Sequence, residues 1–475
     1  MGAVWGEITI SEIQNAIGGF LVNGDPEIEV SGLSTDSRTI KKGDLFWAIK
    51  GERYDGHDFI MKALDLGACG LVCAKKEREA LADISSKTKE IYSDRVVIGV
   101  DDTITALGDF ARWWRRKSDV SIAVITGSAG KTTTKEMTSE ILSLRWKTLK
   151  NMGNFNNLIG LPLTLLSLDA RHERAVLEMG MNREGEIKRL TEIAEPDLGL
   201  ITNVGMAHLE GVGDLQGVAR AKTEMVQQMS SDARVIVNGD DDMLLQTATM
   251  YRKDITTFGL DKNRDIYADG IRNLGLKGTE FEIFHNKGTF PVKVKVPGIQ
   301  NVFNALAAAA ICLCLEVAEE DIMSGLESFE GIKGRFRVMR LPGDNIIVDD
   351  TYNSNPMSLE AALRSVDILG RGMKIIVALG EMLELGNASE KAHIEAGREA
   401  ARLRPEYFVA MGEHAPEMIK GATDGGLKKS RAVLAESHGD MVKIIKDRMN
   451  GGNLVLLKGS RGIQLDKVVK NLVEN

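Results

Sequence analysis

Ile125-Thr126-Gly127-Ser128-Ala129-Gly130-Lys131-Thr132-Thr133 decides the reading of this chain. The apolar run from Ser121 to Ile125 precedes it and reads as a buried strand, and Thr134 to Leu144 follows with the apolar spacing of a helix. Between them, Gly127 and Gly130 let the backbone turn tightly and point its N–H groups inward. Lys131 then supplies a positive charge, and Thr132 a hydroxyl suited to Mg²⁺. Strand, glycine loop and helix N-terminus together form a cradle for a nucleoside triphosphate, with Ser128, Ala129 and Thr133 in its wall. The common phosphate loop, G-x-x-x-x-G-K-[ST], would put its first glycine at Ile125, so this loop is shorter at the front, which narrows the family.

Working outward, 475 residues exceed what one core organises, and two to four domains are expected. An apolar fraction of 43% and a charged fraction of 27% are ordinary for a soluble globular chain. The net charge of -8, with no basic cluster, argues against a nucleic-acid partner. Met1 to Ile10 lacks the basic start and apolar core of a signal peptide. The apolar run Ala305 to Leu315 is too short to span a bilayer and reads as a buried helix. Cys69, Cys73, Cys312 and Cys314 have neither disulfide-framework nor zinc spacing, so reduced buried thiols and a cytoplasmic location are expected.

The order of elements suggests three α/β units. The first, residues 1–100, alternates strands at Leu45 to Ile49, Gly70 to Cys73 and Val96 to Val100 with helices at Ser11 to Ile17 and His57 to Leu66. The second, 101–332, opens with a helix from Thr105 to Arg116 and carries the phosphate loop. It continues through strands at Arg174 to Glu178, Leu198 to Asn203 and Arg234 to Asn238, a β-meander from Asp265 to Val296, and a helix from Asn301 to Leu315. Gly331-Ile332-Lys333-Gly334-Arg335 marks a joint. After it, 333–475 alternates strands and helices as a parallel sheet covered on both faces would.

Three polar clusters narrow the chemistry. Ala175-Val176-Leu177-Glu178 is a strand ending in a carboxylate, placed to hold Mg²⁺ directly or through water beside a phosphate loop; an exposed strand-end acid is the alternative. Ile201 to Gly211 is a strand running into a loop that displays His208, either as a ligand or as a structural histidine. Ala221-Lys222-Thr223-Glu224 lies on a helix, where Lys222 by itself reads as a solvated surface lysine.

With these blocks assembled, the chain resembles the Mur ligase family, ATP-dependent amide-forming enzymes of peptidoglycan synthesis. Further blocks carry the resemblance: Asp36-Ser37-Arg38 with Lys42-Gly43-Asp44-Leu45-Phe46, Gly51-Glu52-Arg53-Tyr54-Asp55-Gly56-His57, and Asn154-Phe155-Asn156-Asn157. Asn203-Val204-Gly205-Met206-Ala207-His208, Asp350-Thr351-Tyr352-Asn353-Ser354-Asn355-Pro356 and Leu457-Lys458-Gly459-Ser460-Arg461-Gly462 complete the set, in family order across nearly the whole chain. Within the family, they resemble the branch that joins D-alanyl-D-alanine to UDP-N-acetylmuramoyl-tripeptide. The resemblance implies an α/β architecture of three domains: a UDP-substrate-binding domain, a central phosphate-loop domain that binds ATP, and a C-terminal Rossmann-like domain. The third has no dinucleotide fingerprint, since neither Gly380 nor Gly459 opens a G-x-G-x-x-G.

The resemblance also implies roles. Amide formation needs the acceptor carboxylate phosphorylated, because its oxygen is a poor leaving group, and cations must screen the meeting of carboxylate and γ-phosphate. Lys131 would neutralise the β- and γ-phosphates, Thr132 and Glu178 would hold one Mg²⁺, and His208 would help hold a second. Lys222 matches the lysine that the family carries as a carbamate, which turns a cation into an oxygen ligand. Asn304 resembles the adenine contact, Arg335 the arginine that reaches ATP from the third domain, and Asp350 the ribose-binding acid. Thr35, Asp36 and Arg38 are expected at the uridine nucleotide, and Asn156 and Asn157 along the muramoyl-peptide channel. Asn353, Asn355 and Ser460 are expected at the incoming dipeptide or the acceptor's peptide tail. For each of these last eight residues a turn-forming or structural role is the alternative. A monomer that closes around its substrates is adequate for this chemistry.

Rival readings lack their marks. The diaminopimelate-adding branch carries Asp-Asn-Pro-Arg where Asn353-Ser354-Asn355-Pro356 stands, and the related folate enzymes lack a UDP-type first domain. A GTPase would need Asn-Lys-x-Asp, but Asn286-Lys287-Gly288-Thr289 has no aspartate.

Overall fold

The structure is a computed structural model that describes residues 8–51, 53–74, 95–207 and 209–474. His208, and Glu52 of the second block above, lie outside the described residues. Among the described residues, three β-sheets of five, nine and six strands follow one another along the chain.

In the first sheet, Gly32–Ser34, Asp44–Trp47, Gly70–Ala74 and Val96–Val100 run parallel, and Phe20–Asn23 adds an antiparallel edge. The helix expected over His57 to Leu66 divides into a 3₁₀ turn, Gly56–Phe59, and a short α-helix, Ile60–Asp65. Asp55 causes the split: its carboxylate accepts the His57 N–H at 3.0 Å and caps the tighter turn. Trp47 stacks on Phe110 of the Thr103–Arg115 helix and donates its indole N–H to the Thr103 carbonyl at 2.7 Å, fastening the first sheet to the next unit.

The second sheet positions the phosphate loop. Third from one edge, Ser121–Thr126 lies between Arg174–Glu178 and Leu198–Ile201, all parallel. Pairing sets Ile125 opposite Glu178 and Thr126 opposite Ile201, so the acid and the 202–205 segment emerge on either side of Gly127. The strand expected to reach Asn203 stops at Ile201, and Thr202 and Asn203 turn toward the loop instead. Parallel pairing continues out to Ile266–Asn273, where the meander Thr279–His285 and Gly288–Val294 completes the sheet antiparallel. The alanine-rich run forms the buried helix Ile299–Cys314, packed on the Lys131–Leu142 helix. Ala305 and Ala307 to Ala310 are fully or almost fully buried, and their small side chains let the two helices approach closely.

The third sheet is mixed, not wholly parallel as the alternation of elements implies. Arg337–Leu341 pairs antiparallel with Asn345–Asp350, because a three-residue turn reverses the chain with Gly343 at φ +74° and Asp344 at φ +57°. Asn345–Asp350, Asn453–Lys458, Lys374–Gly380, Tyr407–Met411 and Ala432–Leu434 then run parallel. All four cysteines are free thiols, three of them buried. No helix among the described residues is long and apolar enough to cross a membrane.

Candidate active site

The phosphate loop accepts only glycine at its two bends. Gly127 has φ +145°, and a Cβ there would stand 1.9 Å from Thr202 Oγ1. Gly130 has φ +85°, and its Cβ would stand 2.4 Å from Asn304 Oδ1. Gly130 is also the N-cap of Lys131–Leu142 and makes no side-chain cap bond, so the first N–H groups of that helix are left for an anion. The amides of Ser128 and Ala129 point elsewhere, donating to Asn203 Oδ1 at 3.1 and 2.8 Å. Asn203 Nδ2 and Thr202 Oγ1 both donate to the Ala129 carbonyl, at 3.1 and 2.6 Å, and Ser128 Oγ donates to the Gly205 carbonyl at 3.1 Å. The 202–205 segment therefore braces the loop. Thr133, third of the three threonine and lysine positions that open the helix, is buried in the wall.

Lys131, half-buried, donates to the Gly127 carbonyl at 2.7 Å. Burial lowers its pKa, with the Arg335 charge adding to the effect, while Glu178 and Glu384 oppose it. Thr132 Oγ1 donates to Glu178 Oε2 at 2.8 Å, and Asn156 Nδ2 donates to Glu178 Oε1 at 2.8 Å. Asn151 pins the strand end by accepting the Glu178 N–H and donating to its carbonyl, both at 2.9 Å. Glu178 is thus a buried carboxylate with a fixed rotamer, not an exposed strand-end acid.

Lys222, on the Leu215–Gln228 helix, is 1% exposed, which rules out the solvated-surface reading. Burial drives its pKa well below the ordinary lysine value, and the charge of Lys131 pushes the same way. Burial there disfavours the charged form of the amine.

A cavity of about 570 Å³ opens between the second and third units. Ser128, Ala129, Gly130 and Asn304 form one side, and Arg335 and Asp350 the other. Asn304 donates to Asn301 Oδ1 at 3.2 Å, which fixes its amide beside Gly130. Arg335 stacks on the Tyr352 ring, 4.0 Å from its centroid, and Nη2 donates to Thr132 Oγ1 at 3.0 Å. Asp350 accepts the Phe336 N–H at 3.1 Å and the buried Lys458 ammonium at 2.7 Å; a carboxylate retains lone pairs beyond these two bonds.

The remaining expected residues divide. Asn353 and Asn355 line the same cavity, but Asn355 spends its side chain as the cap of Pro356–Leu369, accepting the Ser358 N–H at 2.8 Å. Asn157 spends its side-chain oxygen on the turn that leads into the Gly160–Leu165 helix, accepting the Gly160 N–H at 2.9 Å. Ser460 accepts the Leu383 N–H at 2.9 Å and donates to the Ser354 carbonyl, joining two loops. Thr35, Asp36 and Arg38 sit at a 3₁₀ turn of the first unit, outside the cavity. There the Arg38 guanidinium, 2.7 Å from Asp36, holds that carboxyl at about 2. Sequence reasoning missed Asn203, Tyr352 and Lys458 as shapers of the site. Lys458 had a readable signal, a lysine closing the apolar run Asn453 to Leu457.

The donor set suits magnesium. Among the described residues no group of three or more histidine, cysteine or acidic side chains gathers as a cage. Mg²⁺ with a nucleotide needs only one or two protein oxygens, the rest coming from phosphate and water, and the bonded pair of Thr132 Oγ1 and Glu178 Oε2 offers two.

Three family models cover most of the chain: the Mur ligase family catalytic domain over 29–115, the Mur ligase middle domain over 125–312, and the Mur ligase glutamate ligase domain over 334–461. The chain belongs to the Mur ligase family. Its relatives include the UDP-N-acetylmuramoyl-tripeptide–D-alanyl-D-alanine ligase of Bacillus subtilis, 34% identical with 98% of both chains covered. The enzyme of that name from Escherichia coli is 33% identical, over 98% of this chain and 99% of that one. The structure of MurF from Acinetobacter baumannii superposes with a TM-score of 0.88 at 32% identity over the whole of both chains. MurF ligase from Thermotoga maritima in complex with ADP gives 0.80 at 27% identity, over 93% of this chain and 96% of that one.

Proposed function

We propose that this chain uses ATP to join D-alanyl-D-alanine to UDP-N-acetylmuramoyl-tripeptide, through an acyl phosphate, in peptidoglycan precursor synthesis. The observation that carries the reading is the single cluster made by Lys131, Thr132 and Glu178 of the second unit with Arg335 of the third. Three cations or dipoles and one carboxylate converge where a triphosphate on the Lys131–Leu142 helix would end.

In this mechanism the helix amides and Lys131 hold the phosphates, and Asn304 and Asp350 face the base and ribose across the cavity. Arg335 approaches the γ-phosphate from the third unit and stabilises charge as the carboxylate attacks. Thr132 and Glu178 would hold Mg²⁺, which supplies Lewis-acid screening of phosphate charge when bound. We assign His208 and Lys222 to a second Mg²⁺, with Lys222 as a carbamate. A buried neutral amine reacts with CO₂ where an ammonium would not, and Lys222 is buried with a strongly lowered pKa. The uridine end of the acceptor is assigned to Thr35, Asp36 and Arg38, its muramoyl-peptide to Asn156 and Asn157. The dipeptide and the peptide tail fall to Asn353, Asn355 and Ser460.

We take the working units as 1–100, 101–332 and 333–475, and the enzyme as a cytoplasmic monomer, where ATP and a UDP-linked acceptor are both at hand. The test is phosphate release from ATP and Mg²⁺ with the UDP-tripeptide, with and without D-alanyl-D-alanine, followed by mass spectrometry of the nucleotide product. Dipeptide-dependent release with a UDP-muramoyl-pentapeptide product is expected. Release indifferent to both substrates, or product with another amine only, would overturn the reading. Lys131→Ala should abolish turnover in the same assay.

A further inference from the structure

Lys135 is a buried cation to which the chemistry above gives no task. It lies on the Lys131–Leu142 helix, three residues past Thr132, and is 1% exposed. An ammonium is costly to bury unless strong acceptors meet it, and two do so here. Nζ donates to the Asn151 carbonyl at 2.5 Å and stands 2.9 Å from Glu136 Oε1. Glu136 in turn pairs with Lys150, the last residue of the short strand Thr148–Lys150. Two successive helix residues thus grip residues 150 and 151, where that strand ends.

Asn151 is itself buried, and its side chain holds the Glu178 backbone from both sides, accepting the N–H and donating to the carbonyl. Its Nδ2 also donates to the Phe155 carbonyl at 2.8 Å, and Phe155 precedes Asn156, which holds Glu178 Oε1. One asparagine therefore sets both the strand end that carries the acid and the loop that orients it.

These contacts close a ring. Thr132 Oγ1 meets Glu178 Oε2, the Glu178 backbone meets the Asn151 amide, and the Asn151 carbonyl meets Lys135. One helical turn then leads from Lys135 back to Thr132, since residues three apart share a helix face. The ring fixes the spacing between Thr132 Oγ1 and the Glu178 carboxylate. Magnesium tolerates little departure from octahedral geometry, so that spacing decides how well the two oxygens would serve it. A long arm with a charged donor at its tip is what spans from helix to carbonyl inside the protein.

We infer that Lys135 is a positioning residue for the magnesium carboxylate, acting through Asn151. This rests on the assignment of Mg²⁺ to Thr132 and Glu178 and deepens it. The bonds of Lys135 go to Asn151 and Glu136, so it acts on Glu178 by holding the frame that presents it.

The test is Mn²⁺ binding to the full chain with ADP, read from the electron paramagnetic resonance of free Mn²⁺, beside the Mg²⁺ dependence of ligation. Lys135→Met keeps the buried stem and removes the donor. It should raise the Kd for Mn²⁺ about 10-fold, the usual weight of a partner behind a metal ligand, and the Mg²⁺ concentration for half activity to match, with KM for D-alanyl-D-alanine unchanged. A lysine that only stabilised the fold would lower the melting temperature and leave the Mn²⁺ Kd at the wild-type value, and that result overturns the inference. Asn151→Ala cuts the relay and should weaken Mn²⁺ binding as much. Adding Lys135→Met to it should then weaken binding no further; losses that multiply would disconnect Lys135 from Asn151 and overturn the inference. If Lys135→Met does not fold, Glu136→Gln, at a partly exposed position, loosens the ammonium and should raise the Kd about 3-fold; a wild-type value there overturns the inference as well. A wild-type chain without ADP-dependent Mn²⁺ binding defeats the metal assignment itself, whereas wild-type binding with unaltered variants defeats this inference alone.

Discussion

Arg335 Nη2 donates to Thr132 Oγ1 over 3.0 Å, so a side chain of the third unit touches the hydroxyl that ends the phosphate loop of the second. Tyr352 backs the guanidinium from behind, leaving its donors aimed at the loop. Lysine keeps the charge at this position but has neither the stacking plane nor the fork. Arg335→Lys should lower kcat about 10²-fold with a smaller change in KM for ATP, as expected for a contact made chiefly to the transition state. Equal kcat in wild type and variant would remove Arg335 from the chemical step.

Glu178 is oriented by Thr132 on one oxygen and by Asn156 on the other. Glu178→Gln should abolish Mg²⁺-dependent turnover. Asn156→Leu leaves the carboxylate but frees its rotamer, and should raise the Mg²⁺ concentration for half activity about 10- to 100-fold. A titration of activity with Mg²⁺ distinguishes the two; an unshifted curve for Asn156→Leu would return that residue to the peptide channel alone.

Gly130 joins a left-handed φ of +85° to contact with Asn304. Gly130→Ala should destabilise the chain by more than about 1 kcal/mol and displace Asn304 from the cavity. Thermal denaturation with and without ATP is the measurement. The variant should melt earlier and gain little from the nucleotide, and a wild-type gain would mean the loop tolerates a Cβ.

His393 offers a pH prediction. It is fully buried, accepts the Met382 N–H at Nε2 and donates Nδ1–H to the Ser389 carbonyl at 2.7 Å, so it is held neutral. Burial, with His414 stacked at 4.7 Å, lowers its pKa from the ordinary 6.5 against the pull of Glu381 and Glu417. As pH falls below that value the unfolded chain takes the proton first. Its contribution to stability is therefore intact above pH 6.5 and is lost as pH drops toward the folded pKa. His393→Gln, which can still accept the Met382 N–H, should flatten this part of the melting-temperature curve. An identical acid slope in both proteins would assign the loss to other groups.

What the sequence revealed followed from locality. The phosphate loop is specified within nine residues, and strand pairing then carried Glu178 to it as expected. Lys222 shows the opposite case. Its surroundings in the chain are those of a surface helix, and only the packing of distant elements buries it. Asn157 and Asn355 were legible as asparagines before helices, yet a turn or cap and a ligand look alike until a backbone amide claims the side chain. Asn203, Tyr352 and Lys458 act on residues 74, 17 and 108 positions away, distances at which residue patterns carry no pairing information. The antiparallel edge of the third sheet was hidden for a different reason: a three-residue turn decides it, and alternation of strands and helices does not report strand direction.

The cavity between the second and third units has its walls on separate bodies of chain, Asn304 on one and Asp350 on the other. A small molecule gripping both would behave as a staple. Its escape would require the walls to part, so its residence time would follow the parting of the units and not only its own contacts. Compounds built to bridge Asn304 and Asp350 should therefore be selected by dissociation rate, and substitutions that ease separation without touching the phosphates, such as those at Tyr352, are where resistance would arise.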